Sequence, residues 1–224
     1  MSARDAILGK VRRAMGADEK DAVRLQAVEK RLTKPLPGIV PARGQADGAG
    51  RTRIFCTEAE AVHATVTRVK GADAVPAAVA AYLRAKNLPA DFRMGADRRL
   101  KAMPWERQKA LTIRSGASDG DDLTGVSHAY AGIAETGTVV LHSGPDNPTS
   151  INFLPEHHIV VVDAKDIVGD LEAALARVRR KFGRGEMPRT LNMITGPSRS
   201  GDIEQKLLLG AHGPRSLHLI VVGD

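Results

Sequence analysis

Apolar and polar positions follow two rhythms along this chain, one helical and one alternating. Over residues 3–33 the spacing is helical: Ile7, Val11 and Met15 form one stripe and, after a break near Gly16, Val23, Ala27 and Val28 form another, with charged residues on the opposite faces. This predicts a charged helical arm that packs on its own domain or on a second subunit, which makes a homo-oligomer an expectation. Residues 35–50 hold three prolines and several glycines and predict a loose linker. The chain therefore divides into residues 1–50, arm and linker, and residues 51–224, a domain.

Within that domain, which begins around Arg53-Ile54-Phe55, the pattern predicts helices over residues 58–70 and 75–86, with Pro76 suited to a first helical turn. Strands follow over 91–94 and 111–114, then over the β-branched stretch 138–141 and the apolar stretch 158–163. Ile167, Leu171, Ala174, Leu175 and Val178 fall in step and predict a helix over 166–181. Helices alternating with mostly apolar strands indicate an α/β fold whose sheet is covered on both faces.

The final stretch, "NMITGPSRSGDIEQKLLLGAHGPRSLHLIVVGD", reads as strand, turn, helix and strand. Gly196-Pro197 breaks the first strand, and Ser198 or Ser200 is placed to cap a helix over 200–209, with Asp202 and Glu204 in its first turn. Gly210 marks the helix end, and residues 217–222 form the last strand. In such a crossover the turn carrying Arg199 faces the carboxyl edge of the sheet, where open α/β folds bind ligands. Gly196, Ser198 and Arg199 then form a candidate anion site against the helix start. The competing reading pairs Arg199 with Asp202 or Glu204.

Composition narrows the class. Cys56 is the single cysteine, which excludes an internal disulfide, a thiolate zinc cage and a self-contained iron–sulfur cluster. No dinucleotide fingerprint or phosphate loop is present, so no cofactor is expected. The net charge of +7 raises nucleic acid as a partner, but the basic residues are dispersed and aromatic residues make up only 3%, so attraction for small anions is the expectation instead. No apolar run reaches the ~20 residues of a membrane span, and the charged first residues do not read as a signal peptide; cytoplasmic residence is the expected location.

Three further groups carry candidate chemistry. Glu135, before a buried-looking strand, reads as a general base or as a structural carboxylate. His212 reads as an acid/base or anion donor beside Arg215, or as a cap on the helix end near Gly210. In a simple crossover the Arg199 and His212 turns fall at opposite sheet ends, so a joint site needs the chain to fold back or a second subunit to complete it. His157 and His158 are adjacent in a strand and point to opposite faces, so with His142 they make no metal site. Trp105 reads as a pocket anchor or as an aromatic wedge in the core.

Four motifs in order, "AETGTVVL" at 134–141, "LPEHHIVVV" at 154–162, "GPSRSGDIE" at 196–204 and "GAHGPRSLHLIVV" at 210–222, resemble the LUD domain. The resemblance covers about residues 54–224. It implies a three-layer α/β fold of the sugar-isomerase and CoA-transferase type and a role in a three-component system that oxidises L-lactate to pyruvate. It also implies partners: an iron–sulfur protein with a similar LUD region, and a second subunit. With one cysteine this chain is then an accessory, non-redox component. The alternative implied by the fold is an autonomous enzyme like a CoA transferase or a formyltetrahydrofolate cycloligase, with Glu135 as nucleophile.

Overall fold

The computed structural model describes residues 2–16, 21–34, 36, 38–183, 185–203 and 206–223, with the backbone alone over 201–203 and 206–208. It forms two compact units, Met1–Gly38 and Ile39–Asp224. The first holds α1 (Ala3–Ala14) and α2 (Ala22–Thr33). A capping box starts α1: the Ser2 hydroxyl accepts from the Asp5 amide, and the Asp5 carboxylate accepts from the Ser2 amide. Asp21 caps α2 through the amide of Arg24. Ile7, Val11 and Val23, on the apolar stripes of these helices, are exposed.

The second unit opens with α3 (Gly48–Ala61), whose N-cap Asp47 accepts from the Gly50 amide at 2.7 Å. Helix thus begins inside the stretch expected to be linker, and Phe55, expected near a domain edge, is fully buried in its middle. The helix expected over 58–70 is split. His63 adopts a left-handed conformation at φ 69°, and the β-branched alternation of residues 65–69 becomes β1 (Thr65–Val69). Next come α4 (Val75–Ala85), β2 (Asp91–Met94), α5 (Arg98–Lys101), β3 (Thr112–Ser115), β4 (Thr124–His128), β5 (Ala131–Ile133), β6 (Thr138–His142), α6 (Thr149–Phe153), β7 (His157–Asp163) and β8 (Ile167–Val168). The chain ends with α7 (Leu171–Phe182), β9 (Leu191–Ile194), β10 (Arg199–Ile203), β11 (Lys206–Leu209) and β12 (Ser216–Val222). The helix expected over 166–181 begins only at Leu171, because Ile167 and Val168 pair with Gly132 and Ile133 as a short strand.

Six strands form a parallel sheet in the order β1-β12-β7-β4-β2-β3, and four form a mixed sheet in the order β8-β5-β6-β9. Strand alternation divides the core. Val160, Val162, Leu219 and Val221 pack with Phe55 and Ala59 of α3 and with Val139 and Leu141 of the mixed sheet. Ile159, Val161 and Ile220 face the other way, against Val75, Val79 and Leu83 of α4 and Phe92 of β2. The parallel sheet is therefore covered on both faces, by α4 on one side and by α3 with the second sheet on the other. Val140 and Ile133 meet Ala174 of α7 on the outer face of the mixed sheet. Trp105 is a half-buried wedge, 5.3 Å from the Phe92 ring, with its Nε1 donating to the Leu100 carbonyl at 2.7 Å.

The expected helix over 200–209 is an antiparallel hairpin of β10 and β11, pairing Arg199 with Leu209 and Ser200 with Leu208. The register shifts between Ser200 and Ile203, where Gly201 lies in the strand. Tertiary bonds outweigh the helical spacing: Ser198 donates its amide to the Pro214 carbonyl at 2.8 Å and accepts from the Gly210 amide at 3.0 Å, closing the ends of the segment together. No crossover exists between β9 and β12, which belong to different sheets. Glu204 lies outside the described residues, and so does its expected pairing with Arg199.

Candidate functional site

Pairing β10 with β11, rather than winding this stretch into a helix, draws the two turns on either side of it together. Thr195, Gly196, Ser198 and Arg199 from the first and His212 and Gly213 from the second line one cleft of about 290 Å³. The chain folds back, and the expected separation of Arg199 from His212 disappears. The cleft does not lie at the carboxyl edge of the parallel sheet. Its floor includes His158 and Leu217, the second residues of β7 and β12, so it opens at the amino edge. The free helix amides expected to meet an anion there are replaced by the extended backbone of β10.

Arg199 and His212 are exposed at the rim and Ser198 is half-buried, while among the described residues none that lines the cleft is Asp or Glu. A guanidinium, an imidazole and two hydroxyls thus face a space to which no described side chain adds a carboxylate, which suits an anion. Gly196, at φ 70°, contributes backbone to the wall. The position a Cβ would take is 2.2 Å from the Val62 carbonyl oxygen, so its lack of a side chain lets α3 approach rather than opening room for a ligand. Gly137, at φ 62°, meets the backbone of Ala59 in the same way, at 2.2 Å. Two motifs are thereby locked to one helix end. They are also joined by hydroxyls: Thr136 to Thr138, and Thr138 to Thr195 of the cleft, each at 2.7 Å.

The floor holds Asn152, which the sequence reading passed over, and His158, which it weighed only as a metal ligand; Ser127 lies behind them. The Ser127 hydroxyl donates to Asn152 Oδ1 at 3.0 Å, and His158 Nε2 lies 3.0 Å from the same hydroxyl. A serine has one proton to give, so His158 Nε2 carries the hydrogen in that contact and its Nδ1 is bare. His158 is fully buried, and burial pushes its pKa down to about 3, so the ring is neutral. Two atoms remain without a hydrogen-bond partner in this buried group: the acceptor His158 Nδ1 and the donor Asn152 Nδ2. The signal available in the sequence was polar residues inside apolar runs, His158 at the head of "HIVVV" and Asn152 in "SINF".

Other expected residues lie outside this cleft. Arg215 pairs with Glu156 at 3.5 Å and lines two neighbouring hollows. Glu135 sits in the short turn after β5 with its Oε1 accepting the Leu171 amide at 3.0 Å, at the start of α7, while its Oε2 has no hydrogen-bond partner. His157 bonds the Tyr82 hydroxyl at 3.0 Å on the opposite side of β7 from His158, as strand alternation requires. Among the described residues no helix is long and apolar enough to cross a membrane. Cys56 is buried, and burial raises its thiol pKa.

Residues 93–222 match the family model described as the LUD domain. Lactate utilization protein C of Bacillus licheniformis is 41% identical over 101 residues, which is 45% of this chain and 42% of that protein. Lactate utilization protein C of Bacillus subtilis is 39% identical over the same length, with the same coverage. The match thus spans less than half the length of these curated relatives. The crystal structure of a DUF162 family protein from Deinococcus radiodurans superposes with a TM-score of 0.56 over 80% of this chain and 99% of that one, and at 24% identity it shows the fold alone.

Proposed function

The chain belongs to the LUD domain family, and from that premise we propose that it is an accessory, non-redox component of a system oxidising L-lactate to pyruvate, holding a small anionic metabolite in the cleft beside Arg199. The observation that carries this reading is the meeting of Arg199, His212 and Ser198 around a space lined, among the described residues, by no carboxylate. The relatives named lactate utilization protein C support the metabolic setting. One buried cysteine cannot ligate an iron–sulfur cluster, so electrons pass through partners, an iron–sulfur LUD-domain protein and a second subunit.

Binding is tested by titrating phosphate, L-lactate, pyruvate and coenzyme A into the wild-type and Arg199→Ala proteins. A charge-assisted hydrogen bond contributes roughly 1.5–3 kcal/mol, so the substitution weakens anion binding by about one to two orders of magnitude. Normal affinity in the variant removes Arg199 from the site. Lactate-dependent electron transfer by the native assembly, measured with and without this chain, tests the accessory role; an unchanged rate and composition refutes it.

A further inference from the structure

We infer that a second hollow at the amino edge, between the ends of α3 and α4 and the first residues of β1 and β12, binds the phosphate group of a phosphomonoester and seats the ester's apolar body on Pro197, Leu209 and Leu217. The hollow measures about 310 Å³. Among the described residues it shares only Pro197 and Leu217 with the cleft beside Arg199, and it does not depend on an anion in that cleft.

Three basic groups reach its rim from three separate places. His63, left-handed at φ 69°, turns the chain from α3 into β1; Lys86 caps the end of α4; Arg215 comes from the turn before β12. All three are exposed, and among the described residues lining the hollow none is Asp or Glu. A lysine at a helix end offsets the helix dipole, which accounts for Lys86 alone but not for a guanidinium brought from another turn over the same space. The charges also act inwards. Burial first, and Lys86 after it, hold the His218 pKa at about 4, and His157 is lowered by burial and then, against Glu156, by Arg215 and Lys86. Both cations therefore lie over the starts of β7 and β12. Arg215 pairs with Glu156 at 3.5 Å, but both side chains are more than half exposed, and a pair of that kind yields readily to a doubly charged ligand.

The wall adds hydroxyls in fixed positions. The Tyr82 hydroxyl lies 3.0 Å from His157 Nδ1 while its ring stacks on His218 at 4.4 Å, and the Thr65 hydroxyl lies 2.8 Å from His218 Nδ1. Ser216 contributes a third. A phosphomonoester brings three terminal oxygens and about −1.5 to −2 charges at neutral pH, enough to meet two cations and the hydroxyls together. A carboxylate, with two oxygens and one charge, leaves part of this set unanswered. Leu209 is 52% exposed beside buried Pro197 and Leu217, an apolar surface that an organic body covers and inorganic phosphate does not.

The test titrates phenyl phosphate, inorganic phosphate and benzoate calorimetrically into the full chain and into its Lys86→Gln, Arg215→Gln and Arg199→Ala variants. The expected result is phenyl phosphate bound at least about tenfold more tightly than either of the others, weakened about tenfold or more by Lys86→Gln and by Arg215→Gln, and unchanged by Arg199→Ala. Benzoate bound as tightly overturns the preference for phosphate, and inorganic phosphate bound as tightly overturns the seat for an apolar body. Affinity lost in Arg199→Ala but kept in the other two variants moves the phosphate into the neighbouring cleft and overturns the hollow, as does no binding at all. Histidine ring signals in nuclear magnetic resonance report the place directly: phenyl phosphate should shift His63 and leave His212 still, and the reverse overturns the assignment.

Discussion

The carboxyl edge of the parallel sheet pairs its arginines with carboxylates, whereas the cleft at the amino edge leaves its arginine exposed. At the carboxyl edge, Arg99 grips Asp97 with contacts of 2.8 and 3.1 Å and donates to the Ala129 carbonyl, while Arg177 pairs with Asp166 at 2.7 Å and its carbonyl accepts from Tyr130. Burial works against the Asp97 carboxylate, but hydrogen bonds and charge from Arg99 outweigh it and hold its pKa below the usual value. At the amino edge, the cleft floor leaves His158 Nδ1 and Asn152 Nδ2 without partners and its rim leaves Arg199 exposed. Open α/β sheets commonly bind ligands at their carboxyl ends. In this chain the arginines and carboxylates there satisfy each other and only His128 Nε2, among the described buried groups of that edge, is left without a hydrogen-bond partner, while the unanswered hydrogen-bonding capacity of the cleft lies at the other end.

If the amino-edge cleft is a rigid site rather than a loose gap, its wall must be intolerant of change. Gly196→Ala tests this with the largest effect. An alanine at φ 70° carries the left-handed penalty, and its Cβ collides with the Val62 carbonyl, a backbone atom that cannot rotate away. The expected loss exceeds about 4 kcal/mol, enough to prevent folding in a marginal domain. Melting curves check it; a variant within a few degrees of wild type shows the α3 contact to be soft.

The histidines give a second, smaller contrast. Burial lowers His158 to about 3 and His218 to about 4, against an ordinary 6.5. Between those values the unfolded chain binds protons that the folded chain does not. The stabilisation is therefore fully present above pH 6.5 and is lost as pH falls. From pH 8 to pH 5 the loss is roughly 2 kcal/mol for each histidine. His128, at the carboxyl edge, is also lowered, by burial first and then by Arg99, but Asp163 and Asp97 oppose the shift. Urea unfolding at the two pH values should show a drop that shrinks by about half the two-histidine total in His218→Gln. An unchanged drop places the acid sensitivity elsewhere.

Much of the layering was legible because strands declare themselves locally. Residues 91–94 and 138–141 are β-branched or alternating, and helix α4 announces itself by Pro76 and its apolar face. The failures came where tertiary partners decide. Residues 199–209 have helical spacing, yet the bonds of Ser198 to Pro214 and Gly210 impose a hairpin. Residues 65–69 were absorbed into a neighbouring helix because five residues of alternation are too few to outweigh a run of alanine and glutamate before them. Arg199, Ser198 and His212 were legible as chemistry. Asn152 and Ser127 were not, since a buried amide and a buried hydroxyl take their meaning only from the partners the fold brings to them.

The smallest expected effect sharpens the contrast most directly, because it exchanges stability for binding between two arginines. Arg99→Ala at the carboxyl edge removes the clamp on Asp97 and the bond to the Ala129 carbonyl, leaving a half-buried carboxylate underpaired. Its side chain is 40% exposed, so water screens part of the loss, and the cost should be about 1–2 kcal/mol. Anion affinity should stay at the wild-type value, since Arg99 does not line the cleft. Arg199→Ala should do the reverse, leaving the melting temperature unchanged while anion affinity falls. Measuring both quantities on both variants separates the edges; if each substitution moves stability and affinity together, the division into a structural edge and a binding edge is wrong.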